Sequence, residues 1–170
     1  EPWAEALSLL QGWSAMALVD PAMQDDLQWR QRLTGACRLR VPLLPSLLLG
    51  AADPLEVAKR LDLPGQQTMV LGQCRDLLAW LPEHAPPPGA PPSQWCRALE
   101  GSGWSAEAVV LAVCHRPAEW RRLLRWWGRW RHVRSPLTAA ELIDAGWSPG
   151  PGLGAELSRL RLQRIDQEGR

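Results

Sequence analysis

The chain has 170 residues, of which 46% are apolar, so it is long enough for one domain or two small ones and apolar enough to fold. Its net charge of +1 does not imply a general attraction to nucleic acid, so any basic surface must be local. No run approaches the roughly 18 apolar residues of a membrane span. The four cysteines are widely spaced without a C-x-x-C pair, which predicts buried thiols in a reducing compartment, the cytoplasm, rather than a zinc or redox motif.

Arginine and tryptophan dominate the basic and aromatic residues. The chain has 11 tryptophans and neither phenylalanine nor tyrosine, and Lys59 is its only lysine. A GC-rich genome accounts for such a bias, so composition alone assigns no function. Whatever the origin of the bias, its physical consequence is the same, because arginine pairs bidentately with phosphate and stacks on aromatic faces and bases.

Helical spacing of apolar residues begins at the start of the chain. The first segment carries this spacing at Trp3, Leu7, Leu10, Met16 and Ala17. Asp20-Pro21 should close the segment, and a second helix is expected to follow. The apolar residues of that second helix are Met23, Leu27 and Trp29.

Prolines delimit the middle of the chain. Pro42 and Pro45 forbid a long regular element in the apolar run that they interrupt. Asp53 can N-cap the next helix, with Pro54 at its first position, and Pro64 opens another. The inward positions of these two helices are Leu55, Ala58 and Leu61, then Val70, Cys74, Leu77 and Leu81.

The stretch PEHAPPPGAPP, residues 82–92, should be irregular and extended, either as a plain spacer or as a ligand for a proline-recognition domain. Ser93 and Ser105 are then predicted to N-cap two further helices. Arg116-Pro117 ends the second of these and starts a helix that should run to about His132. The inward positions of the helix after Ser105 are Val109, Val110, Val113 and Cys114.

The final section predicts two helices joined by a tight turn. Thr138 and Glu141 form a capping box, and Gly146 is the expected left-handed stop. Residues 147–152, WSPGPG, make the turn, and the last helix follows from Pro151. The apolar face of that helix comprises Leu153, Leu157 and Leu160.

These patterns are typical of an all-α protein, an irregular multi-helix bundle with a Pro-rich break and a C-terminal helix-turn-helix pair. We expect a helical body region over residues 1–81, a linker or loop over 82–92, and a helical tail region over 93–170. Neither a strand signal nor a repeat of fixed period is present.

The final section resembles the C-terminal end of bacterial CCA-adding enzymes and the related poly(A) polymerases, where a helix leads into a GxxPGPxxGxxLxxL turn and a last helix. The similarity covers about a fifth of the chain. The matching residues are Gly146, Pro149, Gly150, Pro151, Gly154, Leu157 and Leu160. Residues 41–81 loosely resemble the helical middle region of the family. Trp147 and the Pro-rich insertion depart from its pattern.

The resemblance implies the neck, body and tail of a tRNA nucleotidyltransferase that adds CCA, CC, A or a poly(A) tail. A separate N-terminal head would hold Mg²⁺, read CTP or ATP and carry out the chemistry, while this part grips the tRNA. Phosphoryl transfer of this type needs carboxylates that hold metal ions, and the chain contains no D-x-D motif. We therefore expect no catalytic residue, metal or cofactor here.

Other polar side chains are interpreted as structural. Asp25-Asp26 should lie on a solvated helix face. The histidines have no partner at metal-ligand spacing, and two serines lack the sequence context of a nucleophile. These residues are His84, His115, His132, Ser46 and Ser93.

Positive charge is concentrated between His115 and Arg134, where there are seven arginines and one acid, Glu119. On a helix, the apolar face would comprise Trp120, Leu123, Leu124 and Trp127. The predicted phosphate-binding residues are Arg121, Arg122, Arg125, Arg129, Arg131 and Arg134. Trp126 and Trp130 lie off the apolar arc and could stack on a base or pack on a neighbouring helix. The alternative is a solvated arginine face with core tryptophans.

The WSPGPG turn is a second candidate, because a helix that starts at the surface offers N–H groups and a dipole that favour an anion. Its predicted site residues are Gly150, Gly152 and Arg159. An ordinary tight turn is the alternative. The resemblance, supported by the basic helix and this turn, implies tRNA binding next to the protein's own catalytic domain. The competing interpretation is a helical protein-interaction or dimerisation module, such as a homodimer, without RNA contact.

Overall fold

Helices form every regular element that this computed structural model contains between residues 2 and 168, the residues it describes, and no strand occurs among them. Helix accounts for 71% of the structure. The all-α, multi-helix class predicted from the sequence is therefore confirmed.

The helices follow one another with short connections. In chain order they are α1 (Pro2–Gly12), α2 (Met16–Val19), α3 (Pro21–Gln24), α4 (Trp29–Leu39), α5 (Leu43–Leu48), α6 (Pro54–Arg60), α7 (Gly65–His84), α8 (Pro92–Gly101), α9 (Ala106–His115), α10 (Trp120–Gly128), α11 (Ala139–Asp144) and α12 (Pro151–Glu168). A 3₁₀ turn, Trp130–His132, follows α10.

The helices group into two compact units, each drawn from two separate stretches of the chain. The first unit contains the described residues up to Pro82 together with Trp104–Leu123. The second unit contains Glu83–Gly103 and the described residues from Leu124 onward. The chain passes from one unit to the other inside α7 after Pro82, between α8 and α9 after Gly103, and inside α10 after Leu123.

Helix α9 lies at the core of the first unit. Every residue from Ala108 to Cys114 is buried, and the helix packs against α4 and α5. A helix that is apolar on all sides belongs in an interior. The four inward positions predicted for this helix are confirmed, and so is its N-cap, because the Ser105 hydroxyl accepts a hydrogen bond from the Ala108 N–H.

The amino-terminal helices are shorter than the sequence predicted. A turn over residues 13–15 separates α1 from α2. Asp20 ends α2 and caps α3, its carboxylate accepting a hydrogen bond from the Ala22 N–H at 2.8 Å. Met23 and Trp29 are buried as expected, whereas Leu27 lies between two helices and is 92% exposed.

The predicted cap of α6 is confirmed. The Asp53 carboxylate accepts hydrogen bonds from the N–H groups of Leu55 and Glu56 at 3.1 and 3.2 Å. Leu61, which was expected to point inward, is exposed, because the helix ends at Arg60 and Leu61 has left it. Val57 takes the buried position instead.

Helix α7 continues through Pro82, which the sequence analysis placed in the irregular stretch. Proline removes the hydrogen bond to the carbonyl four residues earlier and its ring crowds that carbonyl, and α7 ends two residues after Pro82, at His84. The buried side of α7 comprises Leu71, Cys74, Leu77 and Leu81. The irregular segment between α7 and α8 is therefore only residues 85–91.

Ser93 is not the N-cap that its type suggested. Helix α8 begins one residue earlier, at Pro92, and the Ser93 side chain is buried in the first turn. The Ser93 N–H donates to the Asp166 carboxylate of α12 at 2.8 Å. A carboxylate distant in sequence thus satisfies a first-turn N–H group that a local cap would otherwise satisfy.

In the second unit, α12 packs against α8 and α11. The predicted capping box of α11 is confirmed, with the Thr138 N–H donating to Glu141 at 2.7 Å and the Glu141 N–H donating to the Thr138 hydroxyl at 3.3 Å. Gly146 has the predicted positive φ of 98°. Of the expected apolar face of α12, Leu153 is buried, while Leu157 and Leu160 are half-buried.

Candidate nucleic-acid interface

The basic helix is shorter than predicted. It begins at Trp120 rather than Pro117, because residues 118–119 form a turn. It ends at Gly128, and Arg129 leaves helical geometry with φ −135° and ψ −64° before the 3₁₀ turn. Glycine has poor helix propensity, which fits the interruption at this point.

The buried side of α10 differs from the predicted one. Leu123, Trp126 and Trp130 are 0%, 4% and 1% exposed, whereas Trp120 and Trp127 are only half-buried. At about 100° per residue, the buried arc of α10, centred between Leu123 and Trp126, is rotated by about 80° from the predicted one. The prediction that Trp126 and Trp130 lie off the apolar arc is wrong, and neither ring is available for stacking on a base.

Polar contacts within the second unit explain the rotation. The Trp126 indole N–H donates to a Glu100 carboxylate oxygen at 3.3 Å. The 3₁₀ turn that contains Trp130 packs against α8. Tryptophan that is buried usually needs a partner for its N–H group, and Glu100 provides one here.

The predicted phosphate-binding arginines are mostly accessible. Arg121, Arg125, Arg129 and Arg134 are exposed, and Arg122 and Arg131 are half-buried. Among residues 2–168, none of these six side chains forms an ion pair. By contrast, five other arginines are paired with a carboxylate; these are Arg32, Arg75, Arg159, Arg161 and Arg164.

The six arginines are divided between the two units. Arg121 and Arg122 belong to the first unit. There the Arg121 guanidinium lies 5.4 Å from the Trp120 ring centroid, and that of Arg116 lies 5.1 Å from it. The other four lie in the second unit. We call residues 125–134, which carry Arg125, Arg129, Arg131 and Arg134, the basic segment.

The WSPGPG turn is exposed over its whole length. Gly150 has φ +153°, which a side chain would strain, and no atom lies near a Cβ placed on Gly152. Gly152 occupies the first turn of α12. Arg159 is exposed but already paired, donating to both Glu156 oxygens at 2.7 and 2.8 Å. This contact lowers the pKa of Glu156 and makes Arg159 a weaker candidate than the unpaired arginines.

Asp26 does not lie on a solvated helix face, so that prediction is wrong. It forms an ion pair with Arg32, whose side chain is 2% exposed. The Arg32 Nε also donates to the Ser46 carbonyl oxygen at 3.1 Å. Burial and the positive charge of Arg32 lower the pKa of His115, and Asp26 opposes them. These groups form a structural network inside the first unit.

The remaining polar candidates are cysteine and histidine side chains that lie apart from the basic segment or at its surface. No group of three histidine, cysteine or acidic side chains in the described part of the chain could hold a metal ion. Cys74, Cys96 and Cys114 are buried, as predicted, and Cys37 is half-buried. Burial raises the pKa of the Cys96 thiol to about 12 and that of the Cys114 thiol to about 11. His84 and His132 are exposed.

An ion pair next to the basic segment could not be predicted from the sequence. Arg161 of α12 pairs with Glu100 of α8, 61 positions earlier. Neither residue belongs to a recognisable motif, and their separation leaves no local signal that would have revealed the contact.

Comparison with known proteins assigns no family. No family model matches the chain, and neither the curated proteins nor the solved structures contain a match. Among the described residues, no helix combines the length and apolar character that a membrane crossing requires.

Proposed function

We propose that the chain binds RNA through the basic segment, gripping the tRNA backbone as the C-terminal portion of a tRNA nucleotidyltransferase. The observation that carries the proposal is the cluster of arginines without carboxylate partners. An unpaired cluster of guanidinium groups on one short segment concentrates positive charge, which suits a polyanion.

The spacing of the guanidinium groups fits a phosphate backbone. Although Arg129 itself leaves helical geometry, its N–H still donates to the Arg125 carbonyl oxygen at 2.9 Å, so the two backbone positions lie one helical turn apart, roughly 6 Å along the axis. Arg131 and Arg134 extend the positive charge into the following turn. Successive phosphates of a nucleic acid lie within several ångströms of one another, so neighbouring guanidinium groups can contact neighbouring phosphates.

Contacts of this kind would recognise the shape and charge of the RNA rather than its sequence. Base readout needs hydrogen bonds to base edges or aromatic stacking, and two of the three tryptophans in the basic segment, Trp126 and Trp130, are buried, while Trp127 is half-buried. The exposed turn at Gly150 and Gly152 is a second place at which N–H groups of α12 could meet a phosphate.

The nucleotidyl-transfer chemistry would lie outside this chain, in a cytoplasmic enzyme that adds CCA, CC, A or poly(A). A head domain would supply the carboxylates for Mg²⁺ and the pocket for CTP or ATP. The part described here would hold the tRNA so that its 3′ end reaches that head.

Three apolar side chains around α11 favour protein interaction as the second candidate function. Leu137, Ile143 and Trp147 are each 40–42% exposed. Such residues can form the centre of a homodimer or of a contact with another domain. The affinity of such a protein–protein contact depends only weakly on salt, whereas affinity for RNA falls steeply as salt rises. Salt dependence therefore distinguishes the two functions.

The double variant Arg125→Gln/Arg129→Gln tests the proposal. We expect the variant to weaken tRNA binding about tenfold. The slope of log affinity against log salt should become less steep by about two, because two phosphate contacts are lost. The effect should be equal for tRNAs of different sequence. The measurement is fluorescence anisotropy with labelled tRNA at several salt concentrations.

The control is Arg75→Gln/Arg164→Gln, which removes the same charge from two exposed arginines that already have carboxylate partners. It should change the slope much less. Equal effects of both double variants would mean that only net charge matters, and an unchanged affinity of the first variant would reject the basic segment as the RNA contact.

A further inference from the structure

Arg161 makes two good hydrogen bonds to a single carboxylate. Its Nη1 donates to Glu100 Oε2 at 2.7 Å, and its Nη2 donates to Glu100 Oε1 at 2.8 Å. The side chains are 23% and 36% exposed. This side-by-side pairing holds the guanidinium in one orientation and raises the pKa of Arg161.

The same guanidinium holds the backbone of the basic segment. Its Nε donates to the Val133 carbonyl oxygen at 2.8 Å, and its Nη2 reaches the Trp130 carbonyl oxygen at 3.3 Å. Glu100 adds a third connection by accepting the Trp126 indole N–H. These two carbonyl groups belong to neighbours of the arginines. Trp130 lies between Arg129 and Arg131, and Val133 directly precedes Arg134.

We propose that the Glu100–Arg161 pair is a positioning device that shapes the basic segment for RNA phosphates without touching the RNA. The inference rests on the proposed function. A loop that is ordered before binding loses less conformational freedom on binding, so its affinity is higher than that of a loop that must be ordered by the ligand. The pair supplies that order where the regular helix has ended.

Only arginine fits this role. The guanidinium presents five N–H groups in a planar fork, and here they reach four acceptors, two on Glu100 and one each on Trp130 and Val133. A lysine ammonium has three N–H groups on one atom and cannot span the same acceptors. Arg161→Lys should therefore retain the charge but lose the positioning.

Glu100→Gln distinguishes an effect of charge from an effect of positioning, because the two predict opposite changes in RNA affinity. Removing a carboxylate beside a phosphate-binding surface should strengthen RNA binding if electrostatics alone operate. If the pair positions the segment, the variant should weaken binding about fivefold to tenfold, because the ion pair that orients Arg161 is lost. The probe is labelled tRNA at fixed salt.

Glu156→Gln is the matched control. Glu156 is also paired with an arginine of α12, but Arg159 holds no carbonyl of the basic segment. This variant should bind RNA as tightly as the parent or slightly more tightly. Arg161→Lys, which keeps the net charge, should lose affinity like Glu100→Gln and provides a second arm if Glu100→Gln does not fold.

Amide hydrogen exchange tests positioning without RNA. In Glu100→Gln and Arg161→Lys, the amides of residues 129–135 should exchange faster, while those of α9 should be unaffected. Unchanged exchange, or RNA binding by Glu100→Gln that equals or exceeds that of the parent, would overturn the inference and leave the proposed function in place. If the parent chain binds no tRNA, the proposed function fails, and exchange alone then decides whether the pair orders the segment.

Discussion

The buried guanidinium of Arg32 explains why position 50 is glycine. Arg32 pairs with Asp26 and donates to backbone carbonyl oxygens of α5, so its charge and its N–H groups are satisfied inside the first unit. A Cβ at Gly50 would overlap both the Asp26 carboxylate and the Arg32 guanidinium. The requirement at this position is space rather than an unusual backbone angle.

We therefore expect Gly50→Ala to lower the free energy of unfolding by about 3 kcal/mol, because separating a buried ion pair leaves a charge uncompensated. Gly72→Ala is the control, since a Cβ there meets only Leu55 methyl groups at 3.7 and 3.8 Å and alanine favours the interior of α7. Urea denaturation measures both variants. If Gly50→Ala lowers the free energy of unfolding no more than Gly72→Ala does, the Asp26–Arg32 pair can shift to make room for the new methyl group.

At the scale of elements, local signals predicted the starts of three helices and failed on what the helices pack against. The caps at Asp53, Ser105 and Thr138 need only a few consecutive residues, and all three are present. The start of α8 depends on Asp166, and the buried side of α10 depends on Glu100, both distant in sequence. The spacing of apolar residues cannot reveal which side of a helix is buried when the residues that it contacts are distant in sequence.

The corrected orientation of α10 makes a prediction opposite to that of the sequence pattern. Trp126→Ala should cost about 3–5 kcal/mol, because it empties a buried site and leaves Glu100 without its indole partner. Trp127→Ala should cost clearly less, since that ring is half-exposed. Guanidinium denaturation measures the free energy of unfolding of both variants. A larger loss for Trp127→Ala than for Trp126→Ala would support the buried face that the sequence pattern predicted.

At the scale of the whole molecule, the Pro-rich segment looks like a domain boundary but does not separate two independent halves of the chain. Helix α9 lies beyond this segment, yet it packs against α4 and α5 of the first unit. The approach is close: a Cβ at Gly35 of α4 would meet the Cys114 backbone at 3.5 Å. Residues before and after the segment are therefore both needed to complete one core.

A fragment of residues 1–91 should consequently fail to fold cooperatively. It keeps the apolar faces of α4 and α5 but lacks α9, whose seven central residues are buried, so those faces would be left in water. We expect weak thermal transitions by circular dichroism and poor NMR dispersion. The control is the full chain with a protease site placed in residues 85–91 and then cut, which retains every helix and should still unfold cooperatively. A fragment that melts near the temperature of the intact chain would mean that α9 adds little to the first unit and that the Pro-rich segment is a true domain boundary.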